Sequence, residues 1–265
     1  MASRDRASGP RWAVVSGQEL RDLWLGGRGL LLLLAFSVLL SVITYLGATS
    51  EGINFLEKRE TVNLTLQVAV MFGALVALLV AADAISGERE RGTLESLLLT
   101  PVPRRHLLSG KLLGALSLWF AALVVAVPYV WFLGRDVGAV DDALLAGLLV
   151  GTLVAISLAA FGIIVSVLAS SNRLSLSVSL FVLLALFAPT LLPAGAKQGW
   201  AGELFQRVNP MTAAEHYMRD VVINQYEWTK ELSWLTAPVV AAVVLSLVAV
   251  LVMPRFVSLR GGAAG

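Results

Sequence analysis

The stretch DAISGERERGTLESLLLTPVPRR, residues 83–105, sets eight charged side chains between two of the most apolar segments of the chain. Glu88, Arg89, Glu90 and Arg91 alternate in sign between Gly87 and Gly92. A compact charged connector between two greasy runs suggests a chain that leaves a bilayer and re-enters it, and the composition agrees. Of 265 residues, 57% are hydrophobic and 14% are charged, against roughly a quarter charged in a soluble domain. The mean hydropathy is +0.81. The net charge of +2 gives no reason to expect nucleic acid as a partner. With no cysteine and two histidines, His106 and His216, the chain lacks the residues for disulfides, thiolate metal sites or a histidine-rich metal site.

Working outward from the connector, a bilayer-crossing helix needs about 20 mainly apolar residues. Six stretches qualify: 29–47, 64–85, 107–133, 143–169, 174–193 and 236–253. Lys and Arg near span ends set orientation. Arg4, Arg6, Arg11, Arg21 and Arg28 precede the first span. Arg89, Arg91, Arg104, Arg105 and Lys111 lie in or after the connector, Arg173 between the fourth and fifth spans, and Arg255 and Arg260 after the sixth. The alternate loops carry fewer bases and more acids, among them Glu51, Glu57, Glu60, Asp136, Asp141 and Asp142. The expected fold is therefore an all-α integral membrane protein of the cell (inner or plasma) membrane. It has six transmembrane helices, both termini are cytoplasmic, and the connector lies under the membrane.

The expected organisation is a cytoplasmic N-terminal segment 1–28, a single six-span domain 29–254 and a short tail 255–265. Leu20, Leu23 and Trp24 fit an interfacial amphipathic helix, turned into the bilayer by Gly26 and Gly27; a plain basic flank that only fixes topology is the alternative. The outer loop 194–235 is long enough to need its own structure. Within it NPMTAAEHYMRDVVIN reads as a helix with a Thr212–Glu215 capping box and an apolar face of Ala214, Tyr217, Met218 and Val221. It suits a helix on the outer surface, a re-entrant lid, or packing over the outer mouth. Small residues recur every four positions at Gly147, Gly151, Ala155 and Ala159, and again at Gly162, Ser166 and Ser170. Such rows let helices approach closely, within one subunit or across a dimer. Pro189 and Pro193 should bend or end the fifth span.

Several features carry no chemistry. Gly110-Lys111 invites a phosphate-loop reading, but Arg105 stands where the first glycine should be and Leu112 replaces the hydroxyl that would bind magnesium. Asn63-Leu64-Thr65 is a sequon of a kind common by chance. Asp83 is the one acid near the interior of a span and so a candidate buried charge. At its helix end it is placed to pair with a nearby Arg or reach water, and a proton relay would want more such groups. The histidines fall on opposite faces, so no Ser–His pair exists within one site, and the chain is not expected to be an enzyme.

Past Gly92 the connector reads as a short amphipathic helix. Thr93 is placed to cap it, Leu94, Leu97 and Leu98 form one face, and Pro101 and Pro103 end it. The apolar face needs a partner: the bilayer surface, the chain's own helices, or a groove on a soluble protein.

Residues 83–114 resemble the signature connector of ABC-2-type transporter permeases, and most closely the branch with the permeases of multicopper-enzyme (nitrous oxide reductase) maturation and gliding motility. The matching positions are Ser86, Gly87, Glu88, Arg89, Glu90, Arg91, Gly92, Thr93, Leu94, Glu95, Leu97, Leu98, Pro101, Arg104, Gly110, Lys111 and Gly114, with Ser96 where leucine is frequent. The six-span layout, the amphipathic N-terminal segment and Asn209-Pro210 before the sixth span extend the likeness to nearly the whole chain.

The resemblance implies a transmembrane permease subunit that couples ATP hydrolysis by a separate cytoplasmic ABC ATPase to movement of a cargo, with export favoured over import. The chain itself would hold no cofactor, ATP and Mg2+ residing on the ATPase. Residues 86–104 would form a coupling helix docked on that partner, the charge cluster making ion pairs at the docking surface and Leu94, Leu97 and Leu98 a buried anchor, either to the ATPase or to the base of the bundle. A second permease copy, identical or related, and an accessory cargo-specific protein are implied as further partners, beside membrane lipid. Apolar spans fit a lipid-like or amphipathic cargo, or a permease that transmits force with little passing through it. The competing reading, a stand-alone ion-driven carrier or channel, would need polar residues in several spans.

Overall fold

The computed structural model describes residues 17, 21, 24–49, 54–99, 102–191 and 199–257. Most of the N-terminal segment, Pro101, Pro193 and the tail from 258 lie outside the described residues. Among those described the chain is all-helical, with no strand, and six helices are long and apolar enough to cross a membrane.

Helix α1 is Arg28–Thr49 and α2 is Phe55–Asp83. The connector carries α3, Ser86–Glu90, and α4, Leu94–Leu98. Helix α5 is Arg104–Gly134. Helix α6, Val140–Ala146, runs through a π-helical turn at Gly147–Gly151 into α7, Thr152–Leu168. Helix α8 is Asn172–Phe187, α9 is Trp200–Val208, α10 is Pro210–Val222 and α11 is Thr236–Leu247, continued by a π-helical turn to Val252.

Two boundaries differ from the sequence expectation. Helix α2 begins at Phe55 rather than near 64, because Asn54 and Glu57 close a reciprocal capping box that starts the helix in polar sequence. At 29 residues and ~1.5 Å per residue it outreaches the ~30 Å hydrocarbon layer. Helix α10 starts at Asn209-Pro210 and not at a Thr212 box. The Asn209 side chain accepts from the N–H groups of Met211 and Thr212, while Thr212 donates back to the Gln206 carbonyl. Proline at the first helical position favours this start, since its missing N–H costs nothing there. The face expected on α10 is buried: Ala214, Tyr217, Met218 and Val221 are each at most 2% exposed. Helix α9, not anticipated, leaves Trp200, Leu204, Phe205 and Val208 exposed, as suits a helix lying in an interface.

The centre of the bundle is α2 packed against α5 and α7. The small-residue row running from the π-helical turn into α7 serves this intramolecular contact. Trp119 of α5, fully buried, lies between Gly73 of α2 and Gly151, where an added Cβ would come within 2.6 Å and 2.8 Å of its ring. Its indole N–H donates to Thr152 Oγ at 3.0 Å. At Gly162 an added Cβ would sit 2.7 Å from the Leu78 carbonyl oxygen, so α2 and α7 touch backbone to backbone. Helix α1 packs on α2 and α5 through Phe36, Leu40, Ala69, Ala122 and Ala126, with Phe36 stacked on Phe72 at 4.5 Å. Pro189 follows the end of α8, in a short 3-10 turn. Asn63 and Thr65 are buried on α2, so the sequon is not an exposed acceptor.

The bundle has two ends. One gathers the start of α2, the α5–α6 turn and α10, and is closed by Arg59. This cation is 4% exposed and donates to the carbonyls of Val222, Val137 and Gly138. A cation against carbonyls at helix C-termini is favourable twice, by hydrogen bonding and by the helix dipole. The other end holds the connector and the α7–α8 junction.

Candidate functional site

The connector is two short helices, where the sequence suggested one element over 86–104. The chain turns back at Gly92, which has φ +72°, a left-handed conformation that suits glycine. Thr93 does not cap α4. Its hydroxyl donates to the backbone carbonyl and the carboxylate of Glu88, and so ties the two helices together.

What fixes α3 lies on other spans. Past Asp83 the helix breaks, and the backbone N–H groups of Ile85 and Ser86 both donate to Ser166 Oγ of α7 at 2.9 Å. Ser86 Oγ is 2.8 Å from the Ala82 carbonyl and 3.0 Å from Asn172 Oδ1 at the start of α8. Ser175 of α8 also donates to the Ala82 carbonyl, at 2.7 Å. A helix break inside a protein leaves backbone groups that must find partners. Here the partners come from α7 and α8, so the break is bolted to both.

The charged residues divide into an inward and an outward set. Arg89 donates to the carbonyls of Val167, at 3.2 Å, and Ala169, neutralising the C-terminal dipole of α7. Glu88 pairs with Lys111 of α5 at 3.7 Å, and the lysine side chain is 3% exposed. Asp83 pairs with Arg91 at 3.1 Å and accepts from Asn172 Nδ2 at 2.7 Å. It is thus a half-buried structural acid, in keeping with an Arg partner. At Gly87 an added Cβ would fall 2.6 Å from Asp83 Cγ, so a larger residue there would displace this pair. Leu94 is buried in the main core cluster, with Leu97 and Leu98 packed partly against it. The leucine face is therefore satisfied largely by the chain's own helices, the second of the three partners the sequence left open.

Outward-facing residues are Glu90, Arg91, Gly92, Thr93, Glu95, Ser96, Arg104 and Leu99, the last 80% exposed. Glu95 and Leu99, four apart across the end of α4, fall on one side of it. Sequence reasoning missed Leu99, as well as Ser166, Asn172 and Ser175. Ser166 was visible only as a member of a small-residue row, and no signal marked Asn172 or Ser175. His106 and His216 sit at opposite ends, on α5 and α10.

Residues 14–259 match the profile of a family described as ABC-2 family transporter protein. Over 107 residues, 40% of this chain, the sequence is 41% identical to a probable ABC transporter permease protein, NosY, of Pseudomonas aeruginosa. Over the same length it is 40% identical to the protein of that name from Stutzerimonas stutzeri. The matched segments span 38% and 37% of those relatives' own lengths.

Proposed function

The chain belongs to the ABC-2 family of transporter proteins, and from that membership we propose that it is a multi-pass permease subunit whose connector is driven by a separate cytoplasmic ATPase. The observation that carries the reading is the connector's double character. It is anchored to α7 and α8 by hydrogen bonds to Ser166, Asn172 and Ser175 and by Arg89, yet it leaves Glu90, Glu95 and Leu99 facing outward.

A partner that grips the outward face moves α3. The short bonds behind α3 transmit that displacement to the ends of two spans, because packed interfaces shift between discrete arrangements rather than deform smoothly. Glu88 and Arg89, spent on internal contacts, stiffen the lever, and the exposed acids and Leu99 bind. The Lys and Arg distribution supports a reading in which this end and both termini are cytoplasmic and the protein lies in the cell membrane. The ATPase holds ATP and Mg2+, and a second permease copy completes a two-fold assembly. An apolar hollow of about 600 Å³ among α7, α8, α9 and α11, lined by Phe161, Val182, Leu186, Val240 and Arg207 among others, suits a lipid-like or amphipathic cargo.

The test is purification of the tagged chain from its native membrane in mild detergent. A nucleotide-binding ATPase subunit is expected to co-purify in near-stoichiometric amount and to hydrolyse ATP. Isolation of the chain alone, with solute flux driven by an ion gradient and insensitive to nucleotide, would overturn the reading in favour of a carrier.

A further inference from the structure

At the end opposite the connector, three potential metal ligands converge that the coupling account does not use. His216 and Asp220 lie one turn apart on α10, and Glu231 reaches them from the segment leading into α11; one ligand atom from each lies within 4.8 Å of the other two. His216 Nδ1 is 3.1 Å from Asp220 Oδ2. That nitrogen is buried and makes no hydrogen bond. The distance suits an N–H···O bond and the direction does not. Whenever the ring nitrogen carries no proton, two electron-rich atoms this close need positive charge near them. An oxygen set off the axis of the ring nitrogen's lone pair is what a shared cation would leave, since metal ligands diverge around the ion.

The surroundings resemble the outer shell of a metal site. Asp220 Oδ1 accepts from Asn224 Nδ2 at 2.8 Å, and Glu231 Oε2 accepts from the indole N–H of Trp234 at 3.1 Å. Each carboxylate is thus steadied through one oxygen, as ligating carboxylates commonly are. The Trp234 ring stacks on the His216 ring at 3.9 Å and 10°, fixing its plane. Arg207 lies over the Trp234 ring, and its charge is met by Glu203 at 3.1 Å, which leaves the two site carboxylates to serve the cation.

We propose that His216, Asp220 and Glu231 form a binding site for a divalent transition cation of the Zn2+ type, clipping α10 to the segment before α11. Imidazole nitrogen and carboxylate oxygen are both ligand types that zinc takes, and three protein ligands leave a position open to water. The ligand atoms of a tetrahedral ion with ~2.0–2.2 Å bonds stand about 3.3 Å apart. The His216–Asp220 pair already satisfies that spacing, and exposed Glu231 closes the remainder by rotating its side chain. The proposal rests on no part of the transporter reading.

The test uses the full chain in detergent, stripped with a chelator and titrated with Zn2+ by calorimetry and with Co2+ by visible absorption. Saturable binding of one ion per chain is expected, with Co2+ bands of a low-coordinate site, and His216→Gln is expected to abolish both. Glu231→Gln, at an exposed position that α10 does not need for folding, is expected to weaken affinity about tenfold or more without changing the helical content. Absence of saturable binding would overturn the proposal, as would affinity unchanged in Glu231→Gln, and His216 and Asp220 would then be an ion pair alone.

Discussion

Gly162→Ala is expected to lower the stability of the folded bundle by about 1–3 kcal/mol, the usual cost of overpacking a tight core, and Gly162→Val to keep the folded chain from accumulating. The atom facing the new methyl is the Leu78 carbonyl oxygen at 2.7 Å, followed by Ala81 Cβ at 2.9 Å and the Ala82 nitrogen at 3.0 Å. These belong to α2 itself, so no rotamer change relieves the clash and the two helices must part. Gly162 also lies one turn before Ser166, on the same side of α7. Parting the helices therefore lengthens the 2.9 Å bonds from Ser166 to Ile85 and Ser86. The alanine variant should lose thermal stability in detergent and couple poorly to its partner in the molecules that do fold. Parental stability in Gly162→Ala would contradict the backbone-to-backbone packing of α2 on α7.

The second large effect concerns the outward face. The double variant Glu95→Arg, Leu99→Asp is expected to weaken binding of the partner ATPase by about 2–4 kcal/mol, roughly 30-fold to 1,000-fold. It places a charge where an apolar anchor would be desolvated and reverses a charge that steers encounter. Both residues are exposed, so the chain's own stability should move by no more than about 0.5 kcal/mol. Glu88→Ala and Arg89→Ala act differently. They break the Lys111 pair and the cap on α7, and so disturb the lever from within. Binding measured by co-purification, beside thermal unfolding of each variant, separates the two classes. Undiminished ATPase binding in the double variant would place the interface elsewhere.

How much of this was legible in the sequence follows from the kind of force involved. The six spans were, because burying about 20 apolar residues leaves a compositional mark that needs no partner to be seen. The connector was, because charge, glycine and proline crowd together at one place. The facing of its charges was not. In helices of five residues no periodicity separates an inward Arg89 from an outward Glu90, and tertiary partners decide. Ser166, Asn172 and Ser175 were hidden for a related reason. A serine in an apolar span looks like a packing residue until the broken helix end that needs it is in view. The start of α2 was missed because a capping box, not hydrophobicity, sets it. At α10 two start signals competed, and Asn209-Pro210 prevailed over Thr212 because it caps the helix and supplies proline at the first position. Arg59, just past that capping box in polar sequence, carries no local signal of its place as a buried cation closing the far end of the bundle.

The central claim is that the connector's exposed face is gripped by an ATPase, and a photo-crosslinking amino acid incorporated at Leu99 tests it most directly. The account predicts a covalent adduct with a cytoplasmic nucleotide-binding subunit, its yield changing when ATP is added. Adducts with lipid alone, or labelling of position 99 by a membrane-impermeant reagent from outside intact cells, would contradict it.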